Sequence, residues 1–332
     1  MYEQNYHSGN IGSRTFLVTG GAGFIGSHLV EYLILKGAGK VRVLDNLSTG
    51  SIDNLEKFST NSAFELIKGD ICDLETCQKA MVGIDFVLHE AALGSVPRSI
   101  NDPINTNENN VTGFLNVLVT ARDAKVKKMV YAASSSTYGD HKGLPKVEEQ
   151  IGNPLSPYAV SKYINELYAS VFSRTYGFHT VGLRYFNVFG PRQNPQGPYA
   201  AVIPLFIKAA LQNQPASING DGEISRDFTF VENVVQANMK ALFAPIEKHE
   251  VVNVACGAAT SLNELWKLIS SNLGIALDPI YAPARTGDIQ HSLASVEKAH
   301  ALFGYEPAID MKTGLKETIE WAKESVMMNT NT

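Results

Sequence analysis

Tyr158 and Lys162 stand four residues apart in the chain, a spacing that sets both on one face of a helix. A free phenol has a pKa near ~10 and is useless as a base at neutral pH. A neighbouring ammonium and a second cation would favour the phenolate. Lowering the pKa by about 3 units requires about 4 kcal/mol of differential interaction. Two close cations can supply that in a shielded site. Ser134 closes an apolar run and could place a hydroxyl beside the same oxygen. Such a pair is also common on solvated helix surfaces, so its meaning depends on what precedes it.

What precedes it is Thr15-Phe16-Leu17-Val18-Thr19-Gly20-Gly21-Ala22-Gly23-Phe24-Ile25-Gly26, a strand, a glycine turn and a helix start. Glycines there allow a tight turn and let the backbone approach a pyrophosphate seated on the helix N-terminus. A glycine triplet alone is also a plain structural turn; the strand before it and the helix after it favour the phosphate. Asp45 follows Gly26 by 19 residues, at the end of the second strand. A carboxylate there accepts from an adenosine ribose diol and repels a 2′-phosphate, so NAD is expected over NADP. Asp70 and Ile71, after the third strand, would frame the adenine. The nicotinamide ring then provides the second cation beside Tyr158.

The elements that must position these groups alternate. Strands are expected at 15–19, 41–44, 65–68, 86–89, 129–133 and 180–184. Helices are expected at 26–36, 111–124 and 158–176. Near-continuous apolar strands alternating with helices predict an α/β fold, a Rossmann-type parallel sheet wound on both faces. After Phe189 the chain enters a loop, Gly190-Pro191-Arg192-Gln193-Asn194-Pro195-Gln196-Gly197-Pro198. One further helix precedes the turn Asn219-Gly220-Asp221-Gly222, and a late strand at 251–254 should rejoin the sheet. Ser261-Leu262-Asn263-Glu264 reads as a capping box. The expected division is a NAD-binding domain over 1–190, with return segments near 228–257. A smaller, mostly helical lobe over 191–227 and 258–332 would bind substrate.

Bulk properties narrow the class. The chain has 332 residues, 44% hydrophobic and 18% charged, with a formal net charge of −5. The charge argues against a nucleic-acid surface. No apolar stretch reaches the ~18 residues of a membrane span, and the polar N-terminus lacks a signal-peptide core. The three cysteines, Cys72, Cys77 and Cys256, show no CxxC spacing and read as free thiols. The scattered histidines offer no metal motif. A cytoplasmic location without a metal is expected.

Thr19-Gly20-x-x-Gly23-x-x-Gly26, with Ser134 and Tyr158-x-x-x-Lys162, resembles the extended short-chain dehydrogenase/reductase family over nearly the whole chain. Leu183-Arg184-Tyr185-Phe186-Asn187-Val188-Phe189-Gly190, Asn219-Gly220-Asp221-Gly222 and Arg226-Asp227-Phe228 resemble the UDP-hexose 4-epimerases. Ala91-Ala92-Leu93-Gly94-Ser95-Val96-Pro97-Arg98-Ser99-Ile100 resembles the bacterial branch acting on UDP-N-acetylglucosamine, UDP-N-acetylgalactosamine and their uronic acids.

The resemblance implies a reaction without net redox change, in which Tyr158 takes the sugar 4-hydroxyl proton and the C4 hydride goes to a resident NAD. Ser134 and Lys162 support the phenolate. The cofactor would be held by Gly20, Gly23, Phe24, Ile25, Gly26, Asp45, Asn46, Ser48, Gly50, Asp70, Ile71, Ala91, Ala92, Asn110, Tyr158, Lys162 and Tyr185. Arg226 and Arg285 fall where the family grips the UDP diphosphate, with Asn187 near it. Gly94, Ser95, Ser135, Ser136, Gln193, Ala201 and Val202 fall at its sugar pocket. Ser292 matches a position that is bulky in epimerases restricted to non-acetylated hexoses; a small residue leaves room for an acetamido group.

Rival readings have their own signatures. A 4,6-dehydratase carries an Asp-Glu pair where this chain has Ser135 and Ser136, which cannot remove water. Related decarboxylases carry a glutamate in that segment, also missing here. A non-catalytic NAD-binding regulator would not need Tyr158 and Lys162. UDP-glucose/UDP-galactose and UDP-hexuronate epimerisation remain open. Glu232-Asn233 departs from an aspartate that members of the resembling family often carry there, and is expected to support the site or the fold without touching the reacting groups. Residues 111–124 and 158–176 carry apolar residues on more than one face; the resemblance, in which these helices pair across a dimer, implies a homodimer through a four-helix contact, the alternative being packing within the subunit. Surface polysaccharide synthesis is the expected destination of the product.

Overall fold

The computed structural model describes residues 1–195, 201–283 and 290–329. Chain order gives β1 (Thr15–Thr19), α1 (Phe24–Leu35), β2 (Lys40–Asp45), β3 (Phe64–Lys68), α2 (Leu74–Met81) and β4 (Phe86–His89). Next come α3 (Val96–Asn101), α4 (Pro103–Asn107), α5 (Phe114–Asp123), β5 (Lys128–Ser134), α6 (Pro157–Tyr176) and β6 (Thr180–Tyr185). The second half holds β7 (Val188–Phe189), α7 (Val202–Leu211), β8 (Ser217–Asn219), β9 (Ser225–Asp227), β10 (Thr229–Phe230) and α8 (Val231–Phe243). It closes with β11 (Glu250–Val254), β12 (Ala259–Ser261), α9 (Leu262–Leu273), β13 (Ile280–Ala282), α10 (Glu297–Phe303) and α11 (Met311–Asn329).

The main sheet runs β3-β2-β1-β4-β5-β6-β11, with every neighbouring pair parallel. Every residue of β5 and β6 is buried, which explains why those stretches read as unbroken apolar runs rather than alternating ones. Leu29 and Leu33 of α1 and Val234 and Leu242 of α8 pack one side of the sheet. Met81 of α2, Phe114 and Leu118 of α5 and Phe172 of α6 pack another core. From β1 the chain order reverses, to β2 on one side and β4 on the other. In such sheets the crevice at the strands' carboxyl ends is where ligands bind.

A third cluster joins Phe206 of α7, Leu265 and Trp266 of α9, and Leu315 of α11. This lobe is less purely helical than its composition suggests: β7 pairs with β10, β8 with β13, and β9 with β12. Strands of two or three residues are too short to show a period, so sequence pattern cannot reveal them. The capping box at Ser261 is present in both directions. The helix expected from Val111 starts at Phe114, because Glu108–Gly113 is wound more widely as a π-helix. Among the described residues no helix is long and apolar enough to cross a membrane, and no cluster could hold a metal ion.

Glu232, the departure noted above, anchors the N-terminus: it accepts from Tyr2 N and Tyr6 Oη, each at 2.8 Å. Asn233 bonds the Ile309 backbone both ways. Both residues are structural.

One buried ion pair ties together two elements that reach the site. Arg184 of β6 donates Nε and Nη2 to the two oxygens of Glu166 of α6, at 2.9 and 2.7 Å. Side-chain exposure is 4% and 5%. Removing one partner of such a pair leaves an uncompensated charge, at a cost of about 3–5 kcal/mol. Glu166→Ala is therefore expected to lower unfolding free energy by that amount, read from urea denaturation; a loss below ~1 kcal/mol would contradict it.

Candidate active site

The glycine turn is set by backbone proximity. Gly20 has φ +69°, and a Cβ there would lie 2.6 Å from Ala91 N. A Cβ on Gly26 would lie 2.1 Å from the Gly20 carbonyl oxygen. Neither position accepts a side chain without moving the loop. α1 opens behind Gly23 without a side-chain cap, which leaves its first N–H groups for an anion. Asp45 accepts from Ala22 N at 2.9 Å and from Leu47 N at 2.8 Å. It thereby ties the end of β2 to the glycine turn.

A cavity of about 550 Å³ opens over this turn. Gly20, Gly23, Phe24, Ile25 and Gly26 form its floor, with Asp45, Asn46, Ser48 and Ile71 toward β2 and β3. Ala91, Ala92, Gly94, Ser134, Ser135, Tyr158, Lys162 and Tyr185 line it toward β4, β5 and β6. A second cavity, about 800 Å³, includes Ala201, Val202 and Arg226 in its lining. Asn187, Val188 and Gln193 belong to both walls, so the two cavities share a partition.

Several expected site residues stand behind these walls. Asp70 accepts from Asn46 Nδ2 and Cys72 N, each at 2.8 Å, and so positions Asn46. Gly50 packs on Ala22, where a Cβ would come within 2.7 Å. Asn110 clamps the Leu93 backbone, accepting from its N at 2.8 Å and donating to its O at 3.2 Å. Ser95 caps α3. Ser136 donates to Ser134 Oγ at 2.8 Å. Ser292 N donates to Ser225 O at 3.1 Å, next to Arg226 in sequence. Arg285 lies outside the described residues.

At the β4–β6 end the chemistry converges. Lys162 is buried, and its Nζ donates to the Ala132 carbonyl at 2.8 Å. Ser134 ends β5 beside Tyr158, whose phenol it meets by hydrogen bond. Tyr185 donates its hydroxyl to Glu90 Oε1 at 2.7 Å.

Residues 16–255 match the NAD dependent epimerase/dehydratase family. The chain belongs to this family. Its cofactor is NAD. A putative UDP-glucose 4-epimerase of Methanocaldococcus jannaschii is 40% identical over 311 residues, 93% of this chain and 98% of the relative. Among solved structures, UDP-N-acetylglucosamine 4-epimerase from Methanobrevibacter ruminantium, in complex with UDP-N-acetylmuramic acid, is 39% identical with a TM-score of 0.89. It covers 94% of this chain and 99% of that one. UDP-glucose 4-epimerase from Thermus thermophilus, in complex with NAD, is 35% identical with a TM-score of 0.83, covering 93% and 99%.

In this family member the electrostatics around Tyr158 are more divided than its spacing from Lys162 suggests. Burial raises the phenol above its ordinary pKa, the Ser134 hydrogen bond opposes that rise, and the Glu90 carboxylate reinforces it. Burial lowers Lys162 to about 8, with Glu90 acting the other way. Burial raises Glu90 to about 7, partly offset by the Tyr185 hydrogen bond and by Lys162. His89, beside it, is pushed down to about 3 by burial and faces Thr19 Oγ1 at 2.8 Å, so it is neutral.

Sequence reasoning passed over Glu90, along with Leu44, Thr49, Gly69, Leu93 and Asn109 of the same cavity. The available signal for Glu90 was its position, one residue beyond a central strand that ends at His89.

Ser134 supplies the test of this arrangement. A base needs its deprotonated form, so activity rises with pH through the pKa of Tyr158. Ser134→Ala removes a bond that lowers that pKa. The acid limb of kcat is expected to move to higher pH by about one unit, measured as a pH–rate profile. A limb that stays in place or moves lower would contradict the pairing.

Proposed function

We propose that the chain is a UDP-sugar 4-epimerase that interconverts UDP-N-acetylglucosamine and UDP-N-acetylgalactosamine. The observation that carries this reading is the Ser134–Tyr158–Lys162 group in a dinucleotide-sized cavity that shares a wall with a second cavity. Bound NAD supplies a reversible hydride acceptor next to Tyr158. Tyr158 takes the proton of the sugar 4-hydroxyl and returns it after the 4-keto sugar has turned over. Ser134 acts on the phenol, and Lys162 would support the phenolate and hold the nicotinamide ribose. The same hydride and proton leave and come back, so no net oxidation occurs.

The site assignments follow that division. The cofactor side takes Gly20, Gly23, Gly26, Asp45 and their neighbours in the first cavity; Asp70, Gly50 and Asn110 support it from behind. Arg226 on the second wall suits a diphosphate, because a guanidinium fork matches two anionic oxygens. Gly94 has open space around its Cβ position, and Ser135 and Ala201 are small. These leave room for a 2-acetamido group, as does the small Ser292 nearby. Ser135 and Ser136 occupy positions where elimination would need an acid and a base, which favours epimerisation. The same reading assigns a NAD domain to 1–190 with 228–257 and a sugar-nucleotide lobe to 191–227 and 258–332; the third apolar core draws most of its residues from that lobe and is joined by Phe189, Phe228, Phe230 and Val231 of the other segments.

A second reading, UDP-glucose and UDP-galactose, draws support from the names of the Methanocaldococcus and Thermus relatives. Uronic-acid forms are a further candidate. We further propose a cytoplasmic enzyme whose product enters surface polysaccharide.

Holoenzyme incubated with UDP-N-acetylglucosamine and no added NAD is expected to yield the galacto epimer, seen by NMR of the sugar. Tyr158→Phe should retain NAD and lose turnover by at least ~100-fold. No epimer from pure holoenzyme would sink the proposal. Comparing kcat/KM across the three sugar pairs identifies the preferred one.

The dimer reading also belongs here. Val160, Leu167, Tyr168 and Val171 are exposed at helical spacing on α6, an apolar stripe of the kind that seeks a partner. Leu167→Glu is expected to halve the mass measured by sedimentation; an unchanged wild-type monomer would remove the proposal.

A further inference from the structure

Two carboxylates line the first cavity among the described residues, Asp45 and Glu90. Asp45 lies at the end of β2, across the glycine turn from Tyr158, and Glu90 follows β4 on the Tyr158 side. Glu90 is held firmly. Tyr185 of β6 donates to its Oε1 at 2.7 Å, and Asn238 of α8 donates Nδ2 to that tyrosine hydroxyl at 2.8 Å. Asn238 is itself fully buried and bonded to the Val234 carbonyl at 2.9 Å. A relay across two elements thus fixes one carboxylate oxygen.

The charged and titratable groups facing Glu90 are Lys162 and Tyr158 from α6 and Tyr185 from β6; neutral His89 faces Thr19 instead. Lys162 does not consume Glu90 in a direct pair, because its recorded bond goes to the Ala132 carbonyl. Where Glu90 is ionised, its charge is therefore not cancelled by a direct ion pair and faces whatever enters the cavity.

We infer that Glu90 is the counter-charge for the oxidised nicotinamide ring, and so sets how readily the resident cofactor is reduced. The oxidised ring carries a positive charge; accepting a hydride, two electrons and a proton together, neutralises it. With Lys162 fixed nearby, a second cation without an anion would favour the neutral reduced ring. The sugar would then rest too long as the ketone. An anion at Glu90 offsets that bias and favours the oxidised ring, the state that the first half-reaction consumes and the second regenerates. Asn238 and Tyr185 are positioning residues in this scheme. The inference rests on the cofactor reading above and requires no particular sugar.

Its pH dependence has a definite sign. Burial sets Glu90 near about 7 in the chain alone. A cationic ring pulls that value down, and a neutral ring lets it return. The favouring of the oxidised ring is therefore present above pH ~7 and fades as Glu90 takes up a proton below it.

The test uses no sugar, so its outcome is separate from that of the epimerisation assay. Wild-type and Glu90→Gln holoenzymes are poised over a range of potentials with mediators, and bound reduced cofactor is read at ~340 nm. Glutamine keeps an acceptor for the Tyr185 hydroxyl and removes the charge. At pH ~8 the ratio of reduced to oxidised cofactor at fixed potential is expected to rise about tenfold, about 30 mV for a two-electron couple. The offset should shrink toward zero below pH ~6. Glu90→Asp keeps the charge and is expected to stay near wild type. Tyr185→Phe, which removes a bond favouring the carboxylate, should move the onset of the wild-type behaviour to higher pH. Equal potentials for wild type and Glu90→Gln at every pH would overturn the inference. So would an aspartate variant shifted as far as the glutamine one. If Glu90→Gln cannot retain cofactor, the aspartate and Tyr185→Phe results decide between a charge and a spacer.

Discussion

A buried ammonium whose recorded hydrogen bond goes to a backbone carbonyl governs this site. Lys162 has almost no access to solvent, and the Ala132 carbonyl accepts from it. A carboxylate in direct contact would quench its field, whereas a carbonyl dipole orients it and leaves most of its charge active. Because the surroundings are of low dielectric, that charge reaches neighbouring groups with little screening. The penalty is visible in Lys162 itself, lowered to about 8 by burial. Its position depends on how α6 sits against β5 and β6. The Glu166–Arg184 pair and the Asn165 Nδ2 bond to the Asn110 carbonyl at 2.7 Å hold that helix in place. Stability and chemistry share one set of contacts here.

The glycine turn organises the opposite end of the first cavity. Gly20 touches the backbone at Ala91, beyond β4, so the turn over β1 and the segment leading to Gly94 have to move together. Asp45 pins the same turn to the end of β2 through Ala22. Three strand ends are thus joined, β1 to the end of β4 by a backbone approach that leaves no room for a side chain and β1 to β2 through the Asp45 carboxylate. A ligand laid across them meets a surface that is already organised, which reduces the ordering cost on binding.

Much of this was legible in the chain. β1, β4, β5, β6 and β11 were legible because nearly every residue in them is buried, which keeps these runs largely apolar, whereas β2 and the edge strand β3 are only partly buried. The glycine turn was legible because a backbone–backbone approach excludes every other residue type. Tyr158 and Lys162 were legible because helical spacing is rigid. What could not be read were consequences of contacts distant in sequence. Asp70 and Asn110 look like ligand residues by position, yet their hydrogen-bonding groups serve Asn46, Cys72, Leu93 and Ser161. Glu90 has no periodicity to mark it; its importance comes from Lys162 and Tyr185, which fold brings from 72 and 95 positions away. The two- and three-residue strands of the small lobe form only once their partners are in place.

The N-terminal arm extends the same logic to the second cavity. His28 of α1 has its Nε2 2.9 Å from the Pro191 carbonyl, and Tyr2 Oη meets its Nδ1. A carbonyl can only accept, so Nε2 carries the proton and Nδ1 receives the tyrosine's. Burial keeps the ring neutral, pushing its pKa down to about 3, and so this tautomer is stable across physiological pH. Arg192 pairs with Glu31 of the same helix, and Gln193, next along, donates to the Val188 carbonyl at 3.0 Å and lines both cavities. The helix that presents its N-terminus to the first cavity therefore also fixes the partition shared with the second. Any displacement of α1 would reach both cavities at once. Tyr2 and Tyr6, bonded to Glu232 and packed on Tyr32, resist that displacement from outside the site. An arm that lines neither cavity thus helps to set the geometry in which the two cavities meet.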